Sequence, residues 1–146
     1  MIIVDYNSDN YRLDSVKIYA NEMVIGIQCT YEINGQSIKG EKYFGSSIDL
    51  DDAEYEVKIL NLDIDEFIVS VSGRSGSLID KIRFVTNKGR ELEAGGEGGH
   101  IFDSEIPEGD CVGYISGGRN GDLHNLKFLI GPLPMVLKSN MKGYKD

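Results

Sequence analysis

A chain of 146 residues with 40% hydrophobic and 27% charged residues fits one globular domain, large enough to bury about two-thirds of its unfolded surface without a metal or disulfide staple. Its net charge of −9 excludes the basic surface that nucleic acid, anionic membranes and sulfated glycans require. Gly is high at 18 and Pro low at 3, the balance of a chain with many tight turns and close backbone approaches.

At the N-terminus, Met1-Ile2-Ile3-Val4 meets Asp5 too soon to be a signal peptide, and it assigns no compartment. No stretch reaches the roughly 20 apolar residues of a membrane span. Residues 15–19 and 25–31 alternate apolar with polar, the period of a half-buried strand. Asn34-Gly35 is a tight-turn pair leading into a strand over residues 37–44. Further strands are predicted at 55–60, 67–73, 80–86, 101–102, 110–116 and 126–130. Residues 54–64 are ambiguous in period and are read as strand, while the acidic runs 49–56 and 63–66 are read as solvated loops or edges. The regular spacing predicts an all-β sandwich, barrel or prism over residues 1–132, with an extended tail over 133–146. Cys29 and Cys111 both lie in apolar strands; the expected state of each is a buried free thiol, with a single disulfide as the alternative.

An internal repeat organises the chain. Ser72-Gly73-Arg74-Ser75-Gly76-Ser77-Leu78-Ile79-Asp80 is similar to Gly117-Gly118-Arg119-Asn120-Gly121-Asp122-Leu123-His124-Asn125, and each stands between two apolar strands. A weaker third copy is Ala20-Asn21-Glu22-Met23-Val24-Ile25. Three strand–loop–strand units imply pseudo-threefold symmetry, because one unit alone cannot bury its apolar face while three around an axis can.

From about residue 11 to residue 132 the chain resembles the jacalin-related lectin family. The likeness is carried by Ser15-Val16-Lys17-Ile18, by Val71-Ser72-Gly73 followed by Lys81-Ile82-Arg83-Phe84, by Gly95-Gly96-Glu97-Gly98-Gly99-His100, and by Val112-Gly113-Tyr114-Ile115-Ser116-Gly117-Gly118-Arg119. The resemblance implies a β-prism of three four-stranded Greek-key sheets. It also implies metal-independent and cofactor-independent binding of mannose, glucose or galactose between a GxxxD loop and a glycine-rich loop.

Carried over residue by residue, the motif is intact in the central copy. Gly76-Ser77-Leu78-Ile79-Asp80 supplies the GxxxD, and the glycine loop ends in Gly98-Gly99. An ionised Asp only accepts, so it suits sugar hydroxyls, and glycines let backbone N–H groups come close enough to donate. The resemblance gives Asp80 the hydroxyl contacts, and Leu78 and Ile79 the N–H contacts on the ring-oxygen side. The competing structural reading is that Asp80 caps its turn and the glycines merely tighten a loop. A second site at Gly121, Leu123, His124 and Asn125 carries Asn where the family has Asp, and residues 4–10 lack the glycine pair it would need. The early copy has Asn21 for Gly and Ile25 for Asp, and its partner loop Phe44-Gly45-Ser46-Ser47 lacks glycine pairs, so that site is read as dead. Phe102 is placed to stack on a sugar but is expected in the core, and His100 is expected to be structural or a rim residue.

No catalytic residue emerges: there is no GxSxG, no HExxH and no P-loop ending in GKS/T. The expected partners are glycans or glycoproteins, bound weakly at one site and strengthened by multivalency if the chain forms a homo-oligomer. The rival reading is a protein-interaction or structural β-prism whose sugar sites have decayed.

Overall fold

The computed structural model describes residues 11–44, 54–117 and 126–133. These residues form ten antiparallel strands and no helix. They are β1 (Tyr11–Ala20), β2 (Val24–Ile33), β3 (Gln36–Phe44), β4 (Glu56–Asn61), β5 (Ile68–Ser75), β6 (Ile79–Thr86), β7 (Glu91–Gly95), β8 (His100–Ser104), β9 (Asp110–Ser116) and β10 (Lys127–Pro132). Two four-stranded sheets have the same Greek-key order, β3-β2-β1-β4 and β7-β6-β5-β8, and β9 pairs with β10 as part of a third. The arrangement is that of a β-prism.

The strand forecasts locate nine of these elements, with ends displaced by at most two residues except at β1, which begins at Tyr11, four residues before the forecast. The missed strand is β7. Its sequence Glu-Leu-Glu-Ala-Gly does alternate, and Leu92 and Ala94 are buried, but Glu, Ala and Gly are poor strand formers and the segment is an edge held by pairing with β6. The stretch read as strand over residues 54–64 is strand only between Glu56 and Asn61; beyond it the chain turns, with the Leu62 N–H donating to the Asp14 carbonyl. The turn at Asn34-Gly35 is as expected, both residues having positive φ (52° and 79°), which matches the twist of the flanking strands.

Register reveals the repeat in physical detail. Each of the three hairpins carries a bulge near its start: between Leu13 and Ser15 in β1, between Ile68 and Ser70 in β5, and in the β9–β10 pair, where Tyr114 and Val112 face consecutive β10 residues and skip Gly113. Counting from these bulges, Val16, Val71 and Ile115 are equivalent, and all three are buried to 2% exposure or less. They belong to one apolar cluster that also holds Ile18, Ile27, Ile82 and Phe84. Tyr31 ties the first sheet to β9. Its ring lies between those of Tyr11 and Tyr114 at 5.9 and 5.2 Å, and its hydroxyl accepts from the Ile115 N–H at 3.2 Å. Cys29 and Cys111 are buried free thiols, and burial pushes the Cys29 thiol up to about 12.

One acidic run departs from its expected role. Asp63 and Asp65 are exposed and pair with Lys88, but Glu66 is 1% exposed. Its carboxylate accepts from the Asp63 N–H at 3.0 Å, from the Thr86 hydroxyl at 2.7 Å, and from both Nε (2.8 Å) and Nη2 of Arg90. The Arg90 hydrogen bonds hold the carboxyl at about 2, against the opposing effect of burial. Glu66 is therefore a clamp between the segment entering β5 and the β6–β7 hairpin, at the end of the second sheet opposite the β5–β6 turn.

Candidate functional site

The β5–β6 turn is built around a second bulge. Arg74 pairs with Lys81 and Ser75 with Ile79, so Asp80 is the unpaired extra residue. A bulge re-aims the side chain it carries. Here the Asp80 carboxylate is turned onto the β7–β8 loop, so that a Cβ at Gly98 would stand 2.5 Å from Oδ1 and a Cβ at Gly99 would overlap Oδ2. Gly99 is further enforced by a φ of 66° and by the Ser75 backbone, 2.6 Å from where its Cβ would lie. Gly76 faces this pair, its own Cβ position 3.7 Å from Gly99 Cα.

Backbone hydrogen bonds fix the two loops without consuming the groups that face outward. The Gly76 N–H donates to the Leu78 carbonyl at 2.9 Å, and the Gly96 N–H to the Asp80 carbonyl at 2.8 Å. Among the described residues, neither loop uses the N–H of Ser77, Leu78, Gly98 or Gly99 in a backbone bond. The Asp80 carboxylate likewise makes no hydrogen bond or ion pair among the described residues. Capping of the turn by Asp80 would require such a bond; the turn is closed by backbone alone.

Arg74 is a part of the site that sequence reasoning missed. Its Nε donates to the Gly98 carbonyl at 3.0 Å and its Nη2 to the Gly99 carbonyl at 3.1 Å. By binding both carbonyls from outside, it holds the two peptide units that border Asp80. The available signal was the recurrence of Arg in the two stronger copies, Arg74 and Arg119. Lys81, next to Asp80, pairs instead with Glu97 and, at 3.4 Å, with Glu93. The Glu97 hydrogen bond raises the Lys81 pKa, and the same bond lowers that of Glu97. The Asp80 charge is thus left unneutralised by its neighbour.

The remaining predicted positions fall as follows. Ser77 is exposed, Leu78 half-buried and Ile79 buried, so the turn presents backbone rather than large side chains beside Asp80. His100 is exposed and pairs with Ser75 at the rim. Phe102 packs against the core over Gly73, as expected, and its outer edge lines a cleft of about 290 Å³ with Gly76, Leu78 and Phe128. The second predicted site at Gly121, Leu123, His124 and Asn125, the segment 4–10, and the tail beyond residue 133 lie outside the described residues.

The early copy shows how a turn of the same construction differs. Its register repeats the bulge: Tyr19 pairs with Gly26 and Ala20 with Val24, leaving Ile25 as the extra residue in the place of Asp80. The Asn21 N–H donates to the Met23 carbonyl at 3.0 Å, the counterpart of the Gly76–Leu78 bond. Ile25, however, is fully buried. Pairing of Ala20 with Glu56, as Ser75 with His100, puts Glu54 and Tyr55 at the places of Gly98 and Gly99. Sequence alone aligned only the start of this partner loop, at Phe44, which stands where Gly95 does; Gly45, Ser46 and Ser47 lie outside the described residues. Tyr19 replaces Arg74, and its ring contacts those of Phe44 and Tyr55 at 5.2 and 5.8 Å. Arginine, glycine and glycine have become three aromatic rings packed together, so this copy has no acceptor at the Asp position and no open backbone at the second glycine.

Comparison with known proteins agrees with this architecture. The sequence profile of the Jacalin-like lectin domain matches residues 4–129. Among solved structures, the mannose-binding lectin from champedak is 24% identical, with 82% of this chain and 83% of that one covered at a TM-score of 0.69. Artocarpin complexed with methyl-α-mannose is 23% identical, with 82% and 83% covered and a TM-score of 0.69. Jacalin in complex with T-antigen is 20% identical, with 82% and 92% covered and a TM-score of 0.69. A comparison with curated protein sequences returned no match.

Proposed function

The chain belongs to the jacalin-like lectin domain family, a non-enzymatic carbohydrate-binding family, and from that premise we propose that it binds a neutral mannose- or glucose-type sugar at Asp80, without metal. The observation that carries this reading is the bulged Asp80: a half-buried carboxylate without an intramolecular partner among the described residues, turned onto glycine backbone where no side chain fits. A sugar edge brings adjacent hydroxyls, each both donor and acceptor. Two of them donate to Asp80 Oδ1 and Oδ2, and they or the ring oxygen accept from the N–H groups of Leu78, Ile79 and Gly99. Hydrogen bonds to a charged acceptor contribute about 1.5–3 kcal/mol each, whereas the exposed setting and the absence of Trp limit stacking. The balance predicts roughly millimolar affinity for a monosaccharide.

That the champedak lectin binds mannose, and that artocarpin was solved with methyl-α-mannose, favours mannose as the first sugar to test.

The test is an amide-shift titration of isotope-labelled protein with mannose, glucose and galactose, in the presence of EDTA. Shifts clustered at residues 76–80 and 95–99, removed by Asp80→Ala, are expected. Shifts confined to residues 121–125 would move the function to the other turn. Absence of any shift at high sugar concentration would favour the protein-interaction reading.

A further inference from the structure

The bulge that turns Asp80 outward also gives it a charged neighbour. Ile79 and Ile82 are both buried although three residues apart, a spacing that puts side chains on opposite faces of a regular strand. The extra residue of the bulge restores the alternation, and the two half-buried residues between them, Asp80 and Lys81, share the outer face of the second sheet. The Lys81 ammonium, on a flexible four-carbon stem, is thus within reach of the Asp80 carboxylate. That contact would occupy the acceptors a sugar needs, because an ammonium carries full charge and donates up to three hydrogen bonds.

In the structure the ammonium is taken elsewhere. Lys81 Nζ donates to Glu97 and lies 3.4 Å from a Glu93 carboxylate oxygen. Glu97 stands at the crest of the glycine loop, between Gly96, whose N–H is spent on the Asp80 carbonyl, and Gly98, which lies under Asp80 Oδ1. Its side chain is 77% exposed, so it packs into no core, and an ion pair this exposed contributes little to stability. The Lys81 hydrogen bond lowers the Glu97 pKa, which keeps the acid charged. The other cations on this face are committed as well. Arg74 donates to the Gly98 and Gly99 carbonyls, and Arg83, the next outward residue of β6, pairs with Glu91. Lys81 is therefore the cation whose placement decides whether Asp80 stays open.

We infer that Glu97, with Glu93 behind it, is a positioning residue of the sugar site: it diverts Lys81 from Asp80 and so keeps the Asp80 carboxylate open to a neutral sugar. The proposal rests on the sugar-binding reading of Asp80 and names a residue that sets the affinity of that site without touching the sugar. It also gives a reason for an acid in a loop otherwise made of glycine. Glycine at that place would serve the backbone equally well but would leave Lys81 to Asp80.

The experiment measures methyl α-mannoside affinity by amide-shift titration at low and high salt. The proteins are the wild-type chain, Glu97→Gln, the double variant Glu93→Gln/Glu97→Gln, Lys81→Met, and the triple variant that combines all three substitutions. Release of Lys81 onto Asp80 adds a competing exposed ion pair, so the double variant should bind about fivefold more weakly than wild type, with Glu97→Gln alone falling between them. Lys81→Met should bind as wild type does, and the triple variant should recover wild-type affinity, since no ammonium is left to compete. High salt should restore most of the loss in the double variant and leave wild type unchanged. A bridge that merely braced the glycine loop would give a different pattern: Lys81→Met as weak as the double variant, and no recovery in the triple. That pattern, or equal affinity across all the variants, would overturn the role of Glu97 while leaving the Asp80 reading intact. Absence of mannoside binding by the wild type would overturn both.

Discussion

Replacing Glu66 by Gln tests the physical account of the sheet that carries the site. The carboxylate is 1% exposed, accepts from Asp63, Thr86 and Arg90, and is held at about 2 against an ordinary value of 4.5. A depressed acid of this kind stabilises the folded state fully above its unfolded pKa, and that contribution disappears as pH falls from about 4.5 through 2. A gap of this size corresponds to about 3 kcal/mol at most; because the Arg90 side chain is 47% exposed, solvent screening reduces the expectation to about 2 kcal/mol. Glutamine retains an acceptor for Asp63 or Thr86 but leaves the guanidinium without its counter-charge. Urea denaturation should therefore show Glu66→Gln about 2 kcal/mol less stable than wild type at pH 7, or roughly 4–8 °C lower in Tm. The two proteins should converge near pH 2. Sugar affinity of the folded variant should be unchanged, since the clamp lies at the far end of the sheet from Asp80. A difference of the same size at pH 7 and pH 2 would refute the electrostatic assignment and leave only packing.

Three further expectations follow from the site and core. Gly99→Ala forces a side chain into a backbone with φ of 66° and against Asp80 Oδ2 and the Ser75 carbonyl, so it should abolish sugar binding and cost about 1–3 kcal/mol of stability, read by titration and by urea denaturation. Arg74→Ala removes both donors to the glycine-loop carbonyls and should weaken sugar binding about tenfold; because the side chain is half-exposed, stability should change by less than about 1 kcal/mol, and Arg74→Lys should restore only part of the affinity. Cys29 and Cys111 should both resist a thiol reagent in the native protein at pH 8 and both react after unfolding without reductant; burial, which pushes the Cys29 thiol up to about 12, suppresses its thiolate, and alkylation followed by mass analysis would reveal any disulfide.

Strand alternation, the Asn34-Gly35 turn and the threefold repeat were legible in the residues because side-chain period and turn chemistry are local properties. The pairing of the GxxxD at residues 76–80 with the glycine-rich loop at 95–99 came from the family resemblance rather than from any local property. The burial of Glu66 was not legible, because its run of acids looks solvated until Arg90 and Thr86, 24 and 20 residues away, arrive around it. β7 was hidden by weak local preference and made by pairing with β6.

By itself, then, the sequence determined the family and the all-β class, since each depends on residue type and order along the chain. Only the tertiary structure decided what those residues face. It placed Asp80 in a bulge with its carboxylate over Gly98 and Gly99, set Arg74 behind the same peptides, and aligned Glu54 and Tyr55 with the glycine pair across loops of different length. Register between strands distant in sequence fixes those relations, and no local pattern encodes the register of a bulged pair.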